Sequence, residues 1–250
     1  MVTIKNKREI DLMRKAGYIA AQLLEVAEKA VEPGITTKQL DTIIRKFITS
    51  NNAKPSFLGY NGFPASACIS INDVVIHGIP SERRIENGDI VSIDVGVLLN
   101  GYHADTARTF IAGDASEEAK KLVQVTKECF YEGFAQAVAG NRLGDIGYAI
   151  ERHAVSNGYS VVHDYVGHGI GTRLHEDPSV PNYGLKGKGL RLASGMTLAI
   201  EPMINQGVAQ VQVLKDGWTV VTKDGKLSAH YENSIAVTES DPIVLTDVEK

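Results

Sequence analysis

Three pairs of short segments recur in the same order in the two halves of this 250-residue sequence. The matched segments are VVIHGIP at 74–80 with YVGHGIG at 165–171, NGDIVSIDVG at 87–96 with SGMTLAIEPM at 194–203, and HADTARTF at 103–110 with HYENSIAV at 230–237. Each match places an acid or a histidine opposite another: His77 with His168, Asp94 with Glu201, and Asp105 with Glu232. Such a repeat predicts two related halves, and a pseudo-twofold axis between them would bring the matched residues together.

Helical periodicity precedes each group of matched segments. Apolar residues at three- and four-residue steps predict a helix over 7–31, and Thr37 is the expected cap of a second helix. Ser116 is the expected cap of a third helix that runs to about Gly140, and 145–157 is predicted to form a fourth. Segments rich in β-branched residues follow each helix pair and predict strands. The order of two helices followed by strands thus occurs twice, which predicts an α+β fold.

The acids of the repeat lie in strongly apolar segments. Asp94 interrupts IVSIDVGVLL and Glu201 interrupts TLAIEPMI. Any one acid could equally face solvent, but a carboxylate buried without a partner is costly. If the axis gathers Asp94, Asp105, Glu201 and Glu232, their mutual repulsion requires cations. Two divalent ions would match the formal charge of four carboxylates.

The predicted ligand set is rich in oxygen and contains a histidine. This composition suits Mn²⁺, Fe²⁺, Co²⁺ or Zn²⁺ more than a cysteine-rich structural zinc site. Two such ions about 3.5–4 Å apart can share a water and lower its pKa towards about 7. His77 and His168, each taken alone, are more often structural residues than ligands. His103 and His230 each lie two residues before an acid and are candidates to orient it.

Composition and missing motifs narrow the class of protein. The net charge of −4 gives no argument for nucleic acid or acidic membranes as partners. The N-terminal segment does not resemble a signal peptide, and no apolar stretch of 18 residues suggests a membrane span. Cys68 and Cys129 form no CxxC unit, so a reducing cytoplasm is expected. The motifs HExxH, GxxxxGK and GxSxG are absent.

Five motifs together resemble the type I methionine aminopeptidases over nearly the whole chain. They are PASACISINDVVIHGIP, DVGVLLNGYHADTARTF, GHGIGTRLHEDP, IEPMIN and HYENSIAVT. The resemblance implies the pseudo-symmetric pita-bread α+β fold, with an antiparallel sheet core flanked by helices. It implies one catalytic domain over 1–250, built of halves at about 1–112 and 113–250. The implied activity is removal of the initiator methionine when the second residue is small.

The resemblance also implies a role for each site residue. The implied metal ligands are Asp94 on one ion, His168 and Glu201 on the other, and Asp105 and Glu232 between them. The implied catalytic residues are His77, His175 and Glu201. Glu201 would take a proton from the attacking water, and His175 would hydrogen-bond the oxyanion. The implied substrate pocket comprises Tyr60, Phe63, Cys68, His77, His175 and Trp218, although Phe63 and Leu174 depart from the commoner residues. A monovalent cation is expected at Asn72, Val74 and Ser228.

The expected setting is a cytoplasmic monomer that acts on nascent polypeptides at the ribosome. Its cofactors would be two divalent ions (Fe, Mn, Co or Zn) and one monovalent cation. Only 30 residues separate Glu201 from Glu232, too few for the late insertion of type II enzymes. Two alternatives stay open. One is an aminopeptidase or dipeptidase that acts before proline, although such relatives usually carry an additional N-terminal domain. The other is a binding module without catalysis, although such relatives lack some of the ligands.

Overall fold

Helices and strands occur in two similar series along the chain. The computed structural model describes residues 1–248. The helices are α1 (Lys7–Ala30), α2 (Thr37–Ser50), α3 (Glu117–Phe134) and α4 (Leu143–Ser156). The strands between α2 and α3 are β1 (Lys54–Pro55), β2 (Ala67–Ile71), β3 (Val74–Ile76), β4 (Ile90–Leu99) and β5 (Tyr102–Ile111). None of the helices in the described residues is long and apolar enough to cross a membrane.

The strands that follow α4 are shorter and more numerous. They are β6 (Ser160–Val161), β7 (Gly167–Gly169), β8 (Glu176–Val180), β9 (Thr197–Ile200), β10 (Met203–Asn205), β11 (Val211–Val213), β12 (Val220–Thr222), β13 (Ser228–His230), β14 (Glu232–Ala236) and β15 (Ile243–Val244). Two small antiparallel sheets contain β13-β10-β6 and β11-β12-β3. The remaining strands build the central sheet.

A nine-stranded antiparallel sheet forms the centre of the described chain. Seven strands follow in the order β1-β4-β5-β14-β9-β7-β8, while β2 also pairs with β4 and β15 with β14. The first and second series of strands meet where β5 pairs with β14. Thr106 is the register partner of Asn233 there, and the sequence repeat matches the same two residues. This is the relation expected about a pseudo-twofold axis, and the predicted α+β class is confirmed.

Buried apolar side chains form a separate cluster in each half. One cluster packs α1 and α2 against the first series of strands, and Leu23, Ile44 and Ile93 are fully buried in it. The other packs α3 and α4 against the second series, with Phe130 and Ile150 at its centre. Burial of such side chains is the main favourable contribution to folding. The division of the domain near residues 112 and 113 stays a prediction, which the two clusters support.

The start of α2 differs by one residue from the prediction. Thr36, not Thr37, is the cap, because the Thr36 hydroxyl accepts a hydrogen bond from the Gln39 N–H at 3.1 Å. The Gln39 side chain accepts in return from the Thr36 N–H at 2.9 Å. Thr37 instead donates its hydroxyl to the Ser81 carbonyl at 3.1 Å. Either of the two adjacent threonines could cap the helix on sequence grounds. The hydrogen bond to Ser81 occupies Thr37, and Thr36 is the cap.

The end of α3 lies earlier than predicted. The helix ends at Phe134 rather than at about Gly140. Beyond it, the Ala139 N–H donates to the Thr238 carbonyl at 2.8 Å. The chain therefore leaves the helix in order to pair with a segment about 100 residues further on, a contact that no local periodicity indicates. The fourth helix begins at Leu143, two residues before the predicted start.

Gly17 allows α1 to approach the C-terminal segment. A Cβ atom at this position would lie 2.0 Å from the Leu245 carbonyl oxygen and 2.6 Å from the Leu245 carbonyl carbon. The obstructing atoms belong to the backbone, so they cannot turn away as the end of a flexible side chain could. Close approach, rather than a special backbone angle, therefore explains this glycine.

Replacement of Gly17 tests this contact, because helix propensity and the contact predict opposite changes in the free energy of unfolding. Alanine normally stabilises a helix interior by about 1 kcal/mol relative to glycine. Gly17→Ala should instead lower the free energy of unfolding by about 1–3 kcal/mol, because the methyl group overlaps the Leu245 carbonyl. Glu25→Ala, at an exposed position of the same helix, is the control. Denaturant unfolding measures both, and a Gly17→Ala protein as stable as the parent would refute the contact.

Candidate active site

The central sheet places three acids of the predicted set on one face. Asp94 on β4 and Glu232 on β14 are both register partners of Ala107, which lies between them on β5. Register partners project to the same side of a sheet, and so do residues two apart on one strand. Asp105 therefore faces the same way as its neighbours. The small side chain of Ala107 leaves open the space between the acids.

His168 and Glu201 join this face from the neighbouring strands. Ala199 on β9 is the register partner of both His168 on β7 and Ser234 on β14. The Ser234 hydroxyl accepts a hydrogen bond from the Asp105 N–H and donates one to the Asp105 carbonyl, each at 2.9 Å. These bonds connect the row of His168, Ala199 and Ser234 to β5. Glu201 follows the last residue of β9. All five predicted ligands consequently line one cavity.

Asp105 and Glu232 are buried, Asp94 and Glu201 are largely buried, and the acids lack sufficient hydrogen-bond partners. Asp94 Oδ1, Asp105 Oδ1 and Glu232 Oε1 have none within residues 1–248. Burial raises the pKa of Asp94 to about 7. Burial, reinforced by the charges of the neighbouring acids, raises the pKa of Asp105, Glu201 and Glu232 well above the ordinary range. These acids cannot all be ionised at neutral pH unless a cation lies among them.

His168 presents a lone pair to the acids. Its Nδ1 lies 2.9 Å from the Gly169 carbonyl oxygen, which can only accept, so Nδ1 carries the proton. Burial, with a smaller effect of His175, lowers the pKa of His168 to about 3, and the ring is therefore neutral. The free Nε2 lies 3.7 Å from Glu201 Oε1 and 3.9 Å from Asp105 Oδ2. These distances are too long for hydrogen bonds, and a cation between the three atoms could accept a lone pair from each of them.

The chemistry of these donors fits a divalent metal ion. Ligand atoms of Asp105, His168 and Glu232 lie within 4.8 Å of one another, and all three residues are buried. A cation would satisfy the orphaned oxygens and would offset the repulsion between the acids. Carboxylate oxygens with one neutral imidazole are ligands that first-row transition ions accept. The arrangement therefore supports a metal centre rather than a cluster of protonated acids.

A cavity of about 230 Å³ extends from the candidate ligands. It is also lined by every residue predicted for the substrate pocket, namely Tyr60, Phe63, Cys68, His77, His175 and Trp218. The rings of Phe63 and Trp218 meet edge to face with centroids 5.1 Å apart. Trp218 also meets the His77 ring at 6.2 Å. Leu174 contributes a further apolar wall.

Two neutral histidines lie between the apolar walls and the acids. The His175 ring centroid is 4.1 Å from that of His168, and His175 Nδ1 is 2.8 Å from the Tyr60 hydroxyl. Burial lowers the pKa of His175, and it lowers the pKa of His77 to about 4. Both rings are therefore uncharged near neutral pH. They can donate or accept hydrogen bonds at the boundary between the two parts of the cavity.

Some residues of the site were not predicted. Tyr165 lines the cavity and meets the His77 ring edge to face at 5.8 Å. Tyr165 lies three residues before His168 in a matched segment of the repeat, and this position in the sequence could have identified it as a site residue. Asn182 donates its side-chain N–H to the Glu201 carbonyl at 3.0 Å. No local pattern distinguishes Asn182 from an ordinary loop residue.

Arg108 supports the site from behind. It projects from β5 to the face opposite Asp105, because the two residues are three apart on the strand. Its guanidinium donates to the Glu232 carbonyl at 2.6 Å and to Asn233 Oδ1 at 2.7 Å, and it lies 3.9 Å from the Tyr231 ring centre. A half-buried positive charge therefore holds the backbone of one candidate ligand.

The two histidines expected to orient acids behave differently. His230 is buried and places Nε2 3.7 Å from Glu201 Oε2. His103 is half-buried and its Nδ1 shares a hydrogen bond with the Ser56 hydroxyl at 2.9 Å. Ser56 is not among the candidate ligands, so His103 does not contact Asp105 as expected. His230 Nε2 faces Glu201 rather than Glu232 and has no hydrogen-bond partner within residues 1–248, so an orienting role for His230 stays a prediction.

The residues expected to bind a monovalent cation lie on two adjacent segments. Asn72 adopts a φ of 57°, and its carbonyl accepts a hydrogen bond from the Ser228 N–H at 2.8 Å. Val74 begins β3 two residues later. The structure therefore brings Asn72 and Ser228 together, and a role of these residues in cation binding stays a prediction.

Known proteins resemble this chain over nearly its full length. The model of metallopeptidase family M24 matches residues 11–239. A methionine aminopeptidase of Clostridium perfringens is 56% identical over 246 residues, covering 98% of this chain and 99% of that protein. The crystal structure of a Rickettsia prowazekii methionine aminopeptidase gives a TM-score of 0.97 at 46% identity, covering 98% and 100%. A Pyrococcus furiosus prolidase gives 0.80 at 25% identity, covering 99% of this chain but 66% of that one. The predicted pita-bread fold is thereby confirmed, and the chain belongs to metallopeptidase family M24.

Proposed function

We propose that this protein is a metal-dependent aminopeptidase that removes N-terminal methionine when the second residue is small. The observation that carries the proposal is the position of five metal-type ligands at one end of a cavity of about 230 Å³. Cavities that hold drug-sized molecules are larger, from about 300 Å³ upwards. This one suits a single side chain together with a chain terminus. Full-length similarity to proteins named methionine aminopeptidases supports the same activity.

The proposed cofactors are two divalent ions. Asp94, Asp105, His168, Glu201 and Glu232 would hold them, and the four carboxylates would match their charge. Fe²⁺, Mn²⁺, Co²⁺ and Zn²⁺ all suit oxygen ligands with one imidazole. When bound, such ions polarise a carbonyl group and lower the pKa of water.

Glu201 is the proposed proton acceptor. Its side chain lines the cavity, while Asn182 holds its carbonyl at 3.0 Å and His230 lies 3.7 Å from its Oε2. The side chain therefore faces the cavity in which the scissile amide would lie. A proton acceptor needs this proximity before its pKa becomes relevant.

His175 and His77 are the proposed contacts of the scissile amide. The Tyr60 hydroxyl can donate to His175 Nδ1, which leaves a proton on His175 Nε2. A neutral donor of this kind can bond the oxygen on which negative charge develops, an effect of about 3–4 kcal/mol in comparable sites. His77, which packs against the Trp218 ring, would contact the amide nitrogen.

The apolar part of the cavity would hold the methionine side chain. Phe63 and Trp218 form an edge-to-face pair there, with Tyr60 and Cys68 on the adjoining wall. A flexible and polarizable thioether packs well against aromatic rings. The proposed substrates are the N-termini of nascent polypeptides, met at the ribosome in the cytoplasm by a monomeric enzyme.

A pair of peptides tests the proposed activity. Metal-loaded protein should release methionine from Met-Ala-Ser at least about tenfold faster than from Met-Lys-Ser, because the next subsite is narrow. Chromatography of free methionine measures both rates. Equal cleavage of both peptides, or of neither, would contradict the proposal. Faster cleavage of a Xaa-Pro peptide would favour the alternative that acts before proline. Absent metal binding, with Asp105→Asn behaving like the parent, would favour a binding module.

The raised pKa values predict how metal-free protein responds to pH. The pKa of Asp94 is about 7 in the folded chain, against 3.8 ordinarily, and Asp105, Glu201 and Glu232 shift the same way. The folded state therefore holds protons that the unfolded state has released. Stability associated with these acids is full below about pH 4 and is lost as the pH rises through the folded pKa values.

Thermal unfolding between pH 7.5 and pH 8.5 measures this effect in a window where the buried histidines are neutral in the folded state and about nine-tenths neutral in the unfolded state. In chelator, the unfolding temperature should fall across the window, and Mn²⁺ should raise it and flatten the dependence. Asp105→Asn should show a smaller fall in chelator, since one acid is neutral throughout. A chelated parent protein whose unfolding temperature is constant or rises would contradict the burial of ionisable acids.

A further inference from the structure

The first residues of the chain cross the loop that carries His175. We call residues 3–5 the N-terminal strap and residues 171–176 the histidine loop. The Lys5 N–H donates to the Gly195 carbonyl at 2.7 Å, which attaches the strap near the start of β9. Lys5 Nζ lies 2.5 Å from Glu176 Oε2, and the two side chains expose only 5% and 2% of their surface. The strap and the loop are therefore joined by a buried ion pair.

Glu176 connects the two segments through both of its carboxylate oxygens. Oε2 accepts from the Thr3 hydroxyl at 2.7 Å as well as from Lys5. Oε1 accepts from the Arg173 N–H at 3.1 Å and from the Thr172 hydroxyl at 3.4 Å. Since the last two donors belong to the histidine loop itself, the carboxylate determines how that loop turns.

Gly171 provides the space for this arrangement. A Cβ atom there would lie 2.5 Å from Lys5 Cε and 2.7 Å from Glu176 Oε1. The Gly171 carbonyl accepts from the His103 N–H at 2.8 Å, which attaches the beginning of the loop to β5. The loop is consequently fixed at its beginning by a strand and at its end by the ion pair.

His175 stands directly before Glu176, where β8 begins. With Glu176 turned towards the strap, His175 is turned towards the cavity, where its Nδ1 meets the Tyr60 hydroxyl at 2.8 Å. Lys5 and Glu176 are not among the residues that line the cavity. Any effect of this pair on the reaction must therefore act through the loop.

We propose that Lys5 and Glu176 are positioning residues that hold the histidine loop in the conformation that aims His175 at the scissile amide. The proposal rests on the function proposed above and deepens it. Desolvation offsets much of the attraction in a buried ion pair, which favours a conformational over a stabilising role. Burial alone would raise the pKa of Glu176, yet the hydrogen bonds from Lys5, Thr3 and Arg173 lower it to about 2. The Glu176 carboxyl is therefore ionised at neutral pH.

Glu176→Gln tests the proposal because it keeps the size of the side chain and removes its charge. For Met-Ala-Ser, kcat should fall about tenfold or more, since a displacement of about 1 Å can cost about 100-fold. KM should change less than about twofold. In a His175→Ala background the same substitution should cost less than about twofold, because the group that it positions is gone. Lys38→Met, which removes an exposed ion pair with Glu82, is the matched control and should leave kcat unchanged.

Two further measurements separate positioning from general stability. The Lys5→Met/Glu176→Leu double variant replaces the buried pair by apolar side chains and should unfold near the temperature of the parent. Its kcat should remain low, because the Arg173 N–H and the Thr172 hydroxyl have lost their acceptor. Nitrogen NMR of the His175 imidazole should show one tautomer in the parent and a mixture in Glu176→Gln.

The outcomes distinguish this proposal from the proposed function. An active parent enzyme with an unchanged kcat in Glu176→Gln, or with equal losses in both backgrounds, would overturn the positioning role alone. Unchanged imidazole signals in Glu176→Gln would also overturn it, and that readout does not depend on peptide cleavage. A parent protein that cleaves no methionyl peptide would count against the proposed function instead.

Discussion

Repulsion among buried acids is the constraint on which the rest of the structure depends. Asp94, Asp105, Glu201 and Glu232 share one space with a neutral imidazole, and burial raises the pKa of every one of the four. Such a group is stable when ionised only if cations lie among its members. The fold must therefore hold the acids close together before the ions bind, because their mutual repulsion would otherwise separate them. This requires a rigid frame of backbone around the acids.

The antiparallel sheet supplies that frame through its register. Small residues occupy positions beside the candidate ligands, with Ala107 between Asp94 and Glu232, and Ala199 next to His168. Larger side chains at these positions would fill the space that the ions require. The two halves contribute equally to the centre of the sheet, because β5 and β14 pair where the repeat predicts its axis. Contacts outside the cavity further restrict two of its residues. Arg108 holds the backbone of Glu232, and Glu176 holds the loop that carries His175.

The clustering of the acids was predictable because an internal repeat turned isolated acids into matched pairs. Asp105 alone could have faced solvent, whereas its match with Glu232 predicted that both residues lie near the pseudo-twofold axis. Supporting contacts were not predictable in the same way. Arg108 and Glu232 are 124 residues apart, and Lys5 and Glu176 are 171 apart, so no local pattern relates them. His103 shows the limit of strand alternation, which fixed its side of the sheet but could not show that Ser56 would be its partner.

Binding of a metal ion by the chelator-treated protein tests the central claim most directly. Co²⁺ titrated into the parent should bind at two equivalents per chain, with the visible absorption of an oxygen- and nitrogen-ligated ion and with protons released as the acids ionise. Asp105→Asn should bind fewer equivalents, since it removes one ionisable ligand from the centre of the cluster. Binding by the parent that does not exceed that of Asp105→Asn, or that releases no protons, would contradict the account of these acids as a metal centre.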